Sequence, residues 1–286
     1  MKKRMIFLLA FIALAILTTS TNEVKAQFVN DGIYVKENGP GRTPVSYPYL
    51  READIMWGKR IWRIIDLREK LNHPLYYPTE PIGDRMSLFQ LILWGIKNEG
   101  LQAYSDRDDE FKIPIGLDDI KAVMGAGIDT IEIPNYETGE IIYQPIVKEM
   151  DAEQIKQYLI KEEWFFNKKY STIDVRIIGI CPIRIWEDED PDGEMIPKKA
   201  TTFWIYFPDA RRIFANHEVY NPNNEVKRLS YDDLFMQRRF SSYIQKESNV
   251  YNNRLIRQYK VGLATMYESE RVKQSLFEFE HDLWEF

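Results

Sequence analysis

Cysteine is almost absent: Cys181 is the only one in 286 residues, so no intrachain disulfide can form. It lies inside the apolar run Val175–Ile183 and reads as a small buried hydrophobe, because a reactive thiol needs an exposed, electropositive setting. Histidine is nearly as scarce. His73, His217 and His281 each stand alone, with no H-E-x-x-H spacing and no cysteine companion, which argues against a zinc site. There is no G-x-S-x-G elbow, and Gly125-Ala126-Gly127 lacks the third glycine and the preceding strand of a dinucleotide loop. Positive charge is in deficit, 38 Lys and Arg against 44 Asp and Glu. That argues against nucleic acid, whose phosphates need a basic footprint. Carboxylates abound, but the sequence singles out no catalytic pair among them.

Long apolar runs are also missing, with one short exception. Lys2, Lys3 and Arg4 precede the apolar stretch Met5–Leu17, and Val24-Lys25-Ala26 places small residues where a signal peptidase reads them. The stretch falls short of the roughly 20 residues of a membrane span. Residues 1–26 are therefore expected to be a cleaved secretory signal peptide. The removed segment carries Lys2, Lys3, Arg4 and Lys25 against Glu23, so the formal charge moves from −6 to −9 on cleavage. No cysteine lies just after the cleavage point, so attachment to a membrane would have to come through a partner.

Residues 27–53 hold Gly32, Gly39, Pro40, Gly41, Pro44 and Pro48 with scattered apolar side chains, and read as an extended N-terminal arm. Phe28, Ile33, Tyr34, Tyr47 and Tyr49 are the anchors with which such an arm would order on a neighbour. Residues 54–286 are expected to form the body, as one domain or as two closely packed lobes with the break near 167–171. Trp57, Ile61, Ile64 and Leu71 recur at helical spacing after Asp54, which predicts a long amphipathic helix stopped by Asn72 and Pro74, with an extended exit through Pro78. Asp84 is read as the cap of a second helix, Leu117–Met124 as a third, and Asp151 as the cap of a fourth through Ile155, Tyr158 and Leu159. Ile128–Pro134 and Ile141–Val147 look like a hairpin. Ser171–Trp186 reads as a central strand paired with Thr201–Phe207, Pro182 marking a bulge or strand end. Ser230 starts a helix carrying Met236, Phe240, Tyr243 and Ile244, and Val272, Leu276, Phe279 and Leu283 stripe a last one. The antiparallel, sequential pairing of the strands predicts an α+β fold, amphipathic helices packed on β-hairpins.

The acidic stretch 187–194 begins like a calcium loop, with Asp188, Asp190, Asp192 and Gly193 in place. The position that needs a bidentate Glu is Lys199, and strands flank the loop. These aspartates stand as a calcium candidate against the plainer reading of a solvated hairpin loop. Arg211, Arg212, Arg238 and Arg239 could bind a carboxylate or phosphate, against the ordinary alternative of salt bridges.

Four stretches carry a resemblance. They are Asp54–Asn72; Glu162-Glu163-Trp164-Phe165-Phe166 leading to Asp174–Ile180; Tyr206–Arg211 with Ala215–Val219; and Leu234–Ile244 continuing through Lys246–Tyr251. In order and wording they resemble the GldN/PorN family of gliding-motility and type IX secretion proteins. The resemblance implies a non-enzymatic periplasmic subunit of a large ring at the inner face of the outer membrane, assembled with a ring lipoprotein. It also offers the periplasmic part of the inner-membrane secretion motor as a partner, and implies no cofactor or active-site residue. A ring needs a heterologous contact between copies. The arm is one expected surface; Arg238, Arg239, Tyr243 and Tyr251, on the helix and turn near the third stretch's successor, are the other. The competing class is a soluble periplasmic enzyme or ligand binder.

Overall fold

The computed structural model describes residues 42–283 except 84, 135–140, 149, 190–193 and 225, and for 128–147 and 189 only the backbone. In chain order the strands are β1 (Ile55–Asp66), β2 (Ala103–Ser105), β3 (Pro114–Ile115), β4 (Gly127–Pro134), β5 (Ile141–Lys148) and β6 (Ile155–Asn167). They continue with β7 (Thr172–Glu189), β8 (Met195–Thr201), β9 (Phe203–Tyr206), β10 (Glu218–Val219), β11 (Leu229–Ser230) and β12 (Tyr243–Glu247). The helices are α1 (His73–Tyr76), α2 (Leu88–Asn98), α3 (Leu117–Val123), α4 (Phe207–Asn216), α5 (Tyr231–Met236) and α6 (Leu263–Asp282).

The fold is α+β. Eight strands make one antiparallel sheet in the order β12-β1-β6-β7-β9-β2-β3, with β8 beside the far half of β7; β4–β5 and β10–β11 are separate ribbons. β6 and β7 form its spine. Their hairpin pairs Asn167 with Thr172 across the turn 168–171, where Ser171 takes a positive φ of 52°. Pro182 lies within β7 and does not end it. There β7 exchanges one partner for another, β9 opposite Gly179 and Ile180, β8 from Ile183 onward. The missing N–H falls at that joint, and the Pro182 carbonyl accepts the Thr202 N–H at 3.0 Å and its hydroxyl at 2.8 Å.

The long helix expected from Asp54 to Asn72 is a strand followed by a turn and a short helix. Ile61 to Asp66 are all buried, because β1 lies between β6 and β12 with a packed layer on each face. A strand covered on both faces shows no alternation, and the Trp57, Ile61, Ile64 spacing then mimics a helix. The β-branched isoleucines favour the extended form. Past Asp66 the chain turns through a 3-10 turn at Lys70–Asn72 into α1, so Leu75 and Tyr76 are helical rather than extended. Buried Asn72 ties this turn to distant chain, donating to Asp66 O at 2.8 Å and Ser241 O at 3.0 Å and accepting the Ser241 N–H at 2.9 Å.

The helix expected after Asp151 is likewise a strand. Asp151 caps one 3-10 turn by accepting the Glu153 N–H, and Ile155 then opens β6. α2 is capped by Ser87, in a reciprocal box with Gln90; Asp84 lies outside the described residues. The helix begun by Ser230 stops at Met236, and Arg238 takes a left-handed φ of 52°, so Phe240 sits in a bend while Tyr243 and Ile244 belong to β12. α3 and the β4–β5 hairpin lie where expected; the connection 135–140 is outside the described residues.

The main core fills the space between one face of the sheet and α2, α4 and α5. Phe89, Phe207, Phe214 and Phe235 meet Tyr158, Ile160, Ile180 and Phe203 there. Each such buried side chain contributes roughly 1.5–3 kcal/mol relative to exposure. On the opposite face Trp62, Ile64, Leu159, Cys181, Ile183 and Trp204 form a second layer, under the chain 105–113. A third, smaller layer joins Ile61 and Ile244 to Val272 and Leu276 of α6.

Candidate interaction surfaces

Residues 42–50 carry no regular structure yet meet the body at a defined clamp. The Tyr47 ring lies 4.3 Å from the Arg211 guanidinium and 4.8 Å from that of Arg176. The same guanidiniums donate to the backbone on either side, Arg211 to Val45 O and Arg176 to Pro48 O, each at 2.7 Å. Arg211 is held by a buried bidentate pair with Asp232, at 2.8 and 3.0 Å. Burial pushes the Tyr47 phenol above its ordinary value, with Arg211 opposing. A planar cation on an aromatic face contributes about 0.5–2 kcal/mol. Tyr47 thus packs on its own chain, whereas Tyr49 is exposed. Phe28, Ile33 and Tyr34 lie outside the described residues.

A second charged cluster closes one end of the main sheet face. Glu162, with no solvent exposure, receives Arg63 Nε and Trp164 Nε1 on Oε2, each at 3.0 Å, and pairs through Oε1 with Arg238 Nη2 at 2.8 Å. Both guanidiniums lie 5.5 Å from the Trp164 ring. Burial lowers the pKa of Arg63, and Glu162 opposes that shift. The four arginines singled out in the sequence therefore do not converge. Arg211 holds Asp232, Arg212 lies 3.4 Å from Glu99, Arg238 holds Glu162, and Arg239 is exposed.

On the other face, the Lys161 and Lys246 ammoniums lie 5.7 and 4.0 Å from the Trp62 ring, and Asp109 sits 3.5 Å from both. Burial holds Lys161 below the ordinary lysine pKa. Cys181, fully buried beneath this layer, has its thiol pushed up to about 12 by burial, which makes it a poor nucleophile. Asp188 pairs with Lys198 across the β7–β8 ribbon; Asp190 and Asp192 lie outside the described residues. Among the described residues no three His, Cys, Asp or Glu side chains gather as a metal would need.

The C-terminal third leaves large apolar side chains in solvent. Tyr243, on the edge strand β12, and Tyr251 are exposed, and Arg254 stacks between Tyr251 and Tyr259 at 4.4 and 4.5 Å. Leu263, Met266, Tyr267 and Phe277 stand out from α6. Phe277, one of the aromatic side chains at the chain end, is thus exposed and outside the core; Trp284 and Phe286 lie outside the described residues. Sequence reasoning followed the buried stripe of α6 and missed its outward one, although the spacing of Leu263, Met266, Tyr267 and Phe277 was there to read.

No helix among the described residues is long and apolar enough to cross a membrane. No curated protein matches the chain. The model of one family, described as gliding motility associated protein GldN, matches residues 50–285. That match starts at the end of the clamped segment and takes in the whole sheet, both charged clusters and α6, so the chain belongs to the GldN family of gliding-motility and type IX secretion components.

Proposed function

We propose that this protein is a non-enzymatic structural subunit of a large periplasmic ring in the type IX secretion and gliding machinery. It is exported by its leader, cleaved after Ala26, and held at the inner face of the outer membrane by a ring lipoprotein; the periplasmic part of the inner-membrane motor is a further partner. Copies meet through a heterologous contact, which a ring requires. The observation that carries this reading is family membership over residues 50–285. The described surface supports it in kind. The strong charge pairs are spent inside the fold on Glu162 and Asp232, while tyrosine, methionine and phenylalanine side chains stand in solvent. That composition is typical of interfaces.

The arm and the turn 249–253 remain the proposed contact surfaces. The clamp at Tyr47 holds residues 45–48 on the body, and the neighbouring Tyr49 is exposed. Affinity capture from gently solubilised envelopes, followed by gradient sizing and electron microscopy, tests the reading. Large annular particles containing an outer-membrane lipoprotein are expected. A small species that in-cell crosslinking leaves unchanged would overturn it.

A further inference from the structure

α6 is attached along one side only. Ser269, Val272 and Leu276 are buried, Phe279 rests on Trp57 with ring centroids 4.8 Å apart, and the Ser269 hydroxyl accepts the Ile244 N–H at 2.9 Å. That side closes the β12 edge of the sheet. The opposite side presents Leu263, Met266, Tyr267, Glu270, Gln274 and Phe277, three or four residues apart along the helix. Leu263, Met266, Tyr267 and Phe277 are 70, 69, 74 and 59 % exposed. Helices of water-soluble bodies bury one stripe and solvate the other; α6 also carries four large apolar side chains on its solvated side, around Glu270 and Gln274.

Two pairs on the outward stripe lie symmetrically about the level of Val272, while Leu263 and Met266 fall opposite His281 and Glu278. Tyr267 lies five residues before it and Phe277 five after; Glu270 lies two before and Gln274 two after. We propose that this stripe pairs with the same stripe of a second copy, the two α6 helices running antiparallel about a two-fold axis at Val272. Tyr267 then meets Phe277 of the second copy, ring on ring, and Glu270 meets Gln274, a carboxylate on an amide. A parallel pairing sets Glu270 against Glu270, which like charge opposes. Side chains of this size bury about 150–250 Å² each, so the four apolar ones offer about 500 Å² at their present exposure. Two copies together cover about 1,000 Å², the lower bound of a specific interface.

This contact joins copies of the purified chain in pairs and is read without the ring or its lipoprotein, so its failure is distinguishable from failure of the ring reading. Sedimentation equilibrium of the purified chain from Gln27 at micromolar concentration tests it. The expected mass is twice that of the protomer. Tyr267→Asp and Phe277→Asp each weaken the dimer at least about tenfold, as central aromatic anchors do, with far-UV circular dichroism unchanged because both side chains point to solvent. A short bismaleimide distinguishes orientation. Glu270→Cys and Gln274→Cys chains crosslink when mixed and far less when treated separately, buried Cys181 staying unreactive. A monomer at these concentrations overturns the proposal, as does crosslinking of Glu270→Cys to itself in preference. So does a monomer whose face is protected only on adding a ring lipoprotein.

Discussion

Glu162 sits without solvent contact between two guanidiniums and an indole N–H, and its removal exposes what such a cluster costs. Glu162→Ala leaves Arg63 buried and unpaired, and urea unfolding is expected to show a loss of about 3–5 kcal/mol. Arg63→Met with Glu162→Leu is expected to cost less than that single change, since the fully buried cation goes with its partner and only the partly exposed Arg238 loses a contact. A loss below 1 kcal/mol for Glu162→Ala would contradict the burial of this pair. Asp66 contributes to the acid dependence. Its carboxylate accepts the Arg68 guanidinium at 2.6 Å and the Gln157 amide at 2.9 Å. Chiefly through Arg68, its pKa falls from 3.8 to about 2. Because the folded value is the lower one, the stability it lends is present above the ordinary carboxylate range and is lost as pH falls from about 4 towards 2. Melting curves across that window should fall less steeply for Asp66→Asn than for the parent chain.

At the scale of elements, the clearest local constraint is a glycine under a ring. A Cβ on Gly179 would meet Phe111 Cζ at 2.5 Å and the Ile205 carbonyl at 3.0 Å. Phe111 has little room to retreat, held at a φ of 59° and edge-on to Tyr104, Trp204 and Tyr206. Gly179→Ala is expected to lift the chain 105–113 from the second layer at a cost of about 1–3 kcal/mol, with a change in tryptophan emission from Trp62 and Trp204. Unaltered emission and stability would place Phe111 elsewhere. The arm clamp makes a parallel prediction. Tyr47→Ala frees residues 42–50, so limited proteolysis there should quicken several-fold while the body melts within about 1 kcal/mol of the parent.

The same scale shows what could be read from sequence. β7 and the β4–β5 hairpin follow from runs of β-branched residues, and α6 from its Val272, Leu276, Phe279 stripe; α3 also lies where local pattern put it. β1 and β6 do not. Both are covered on two faces at their centres, so the period of two that marks a strand is erased; Asp151 caps only a 3-10 turn, and Asp54 ends another with its carboxylate accepting the Arg51 guanidinium. The wording of Asp54–Asn72 still pointed to the right family, because that recognition does not depend on which element the residues form. The charged clusters were illegible for another reason. Arg63, Glu162 and Arg238 meet only through the β1–β6 pairing and the left-handed turn at Arg238, and separation along the chain hides that.

At the largest scale, the described residues form an antiparallel sheet packed on both faces, with residues 45–48 clamped to it and large apolar side chains standing out from the C-terminal helix. In the proposed ring, the angle between neighbouring copies sets whether a heterologous contact closes. The central claim is that such subunits build a ring with an outer-membrane lipoprotein. Electron microscopy of particles captured on this chain from the native envelope tests it most directly. The account predicts annular particles holding many copies of the chain and the lipoprotein, and lost on disrupting the arm. Capture of the chain as a monomer or lone dimer, with no lipoprotein even after crosslinking in cells, would contradict it.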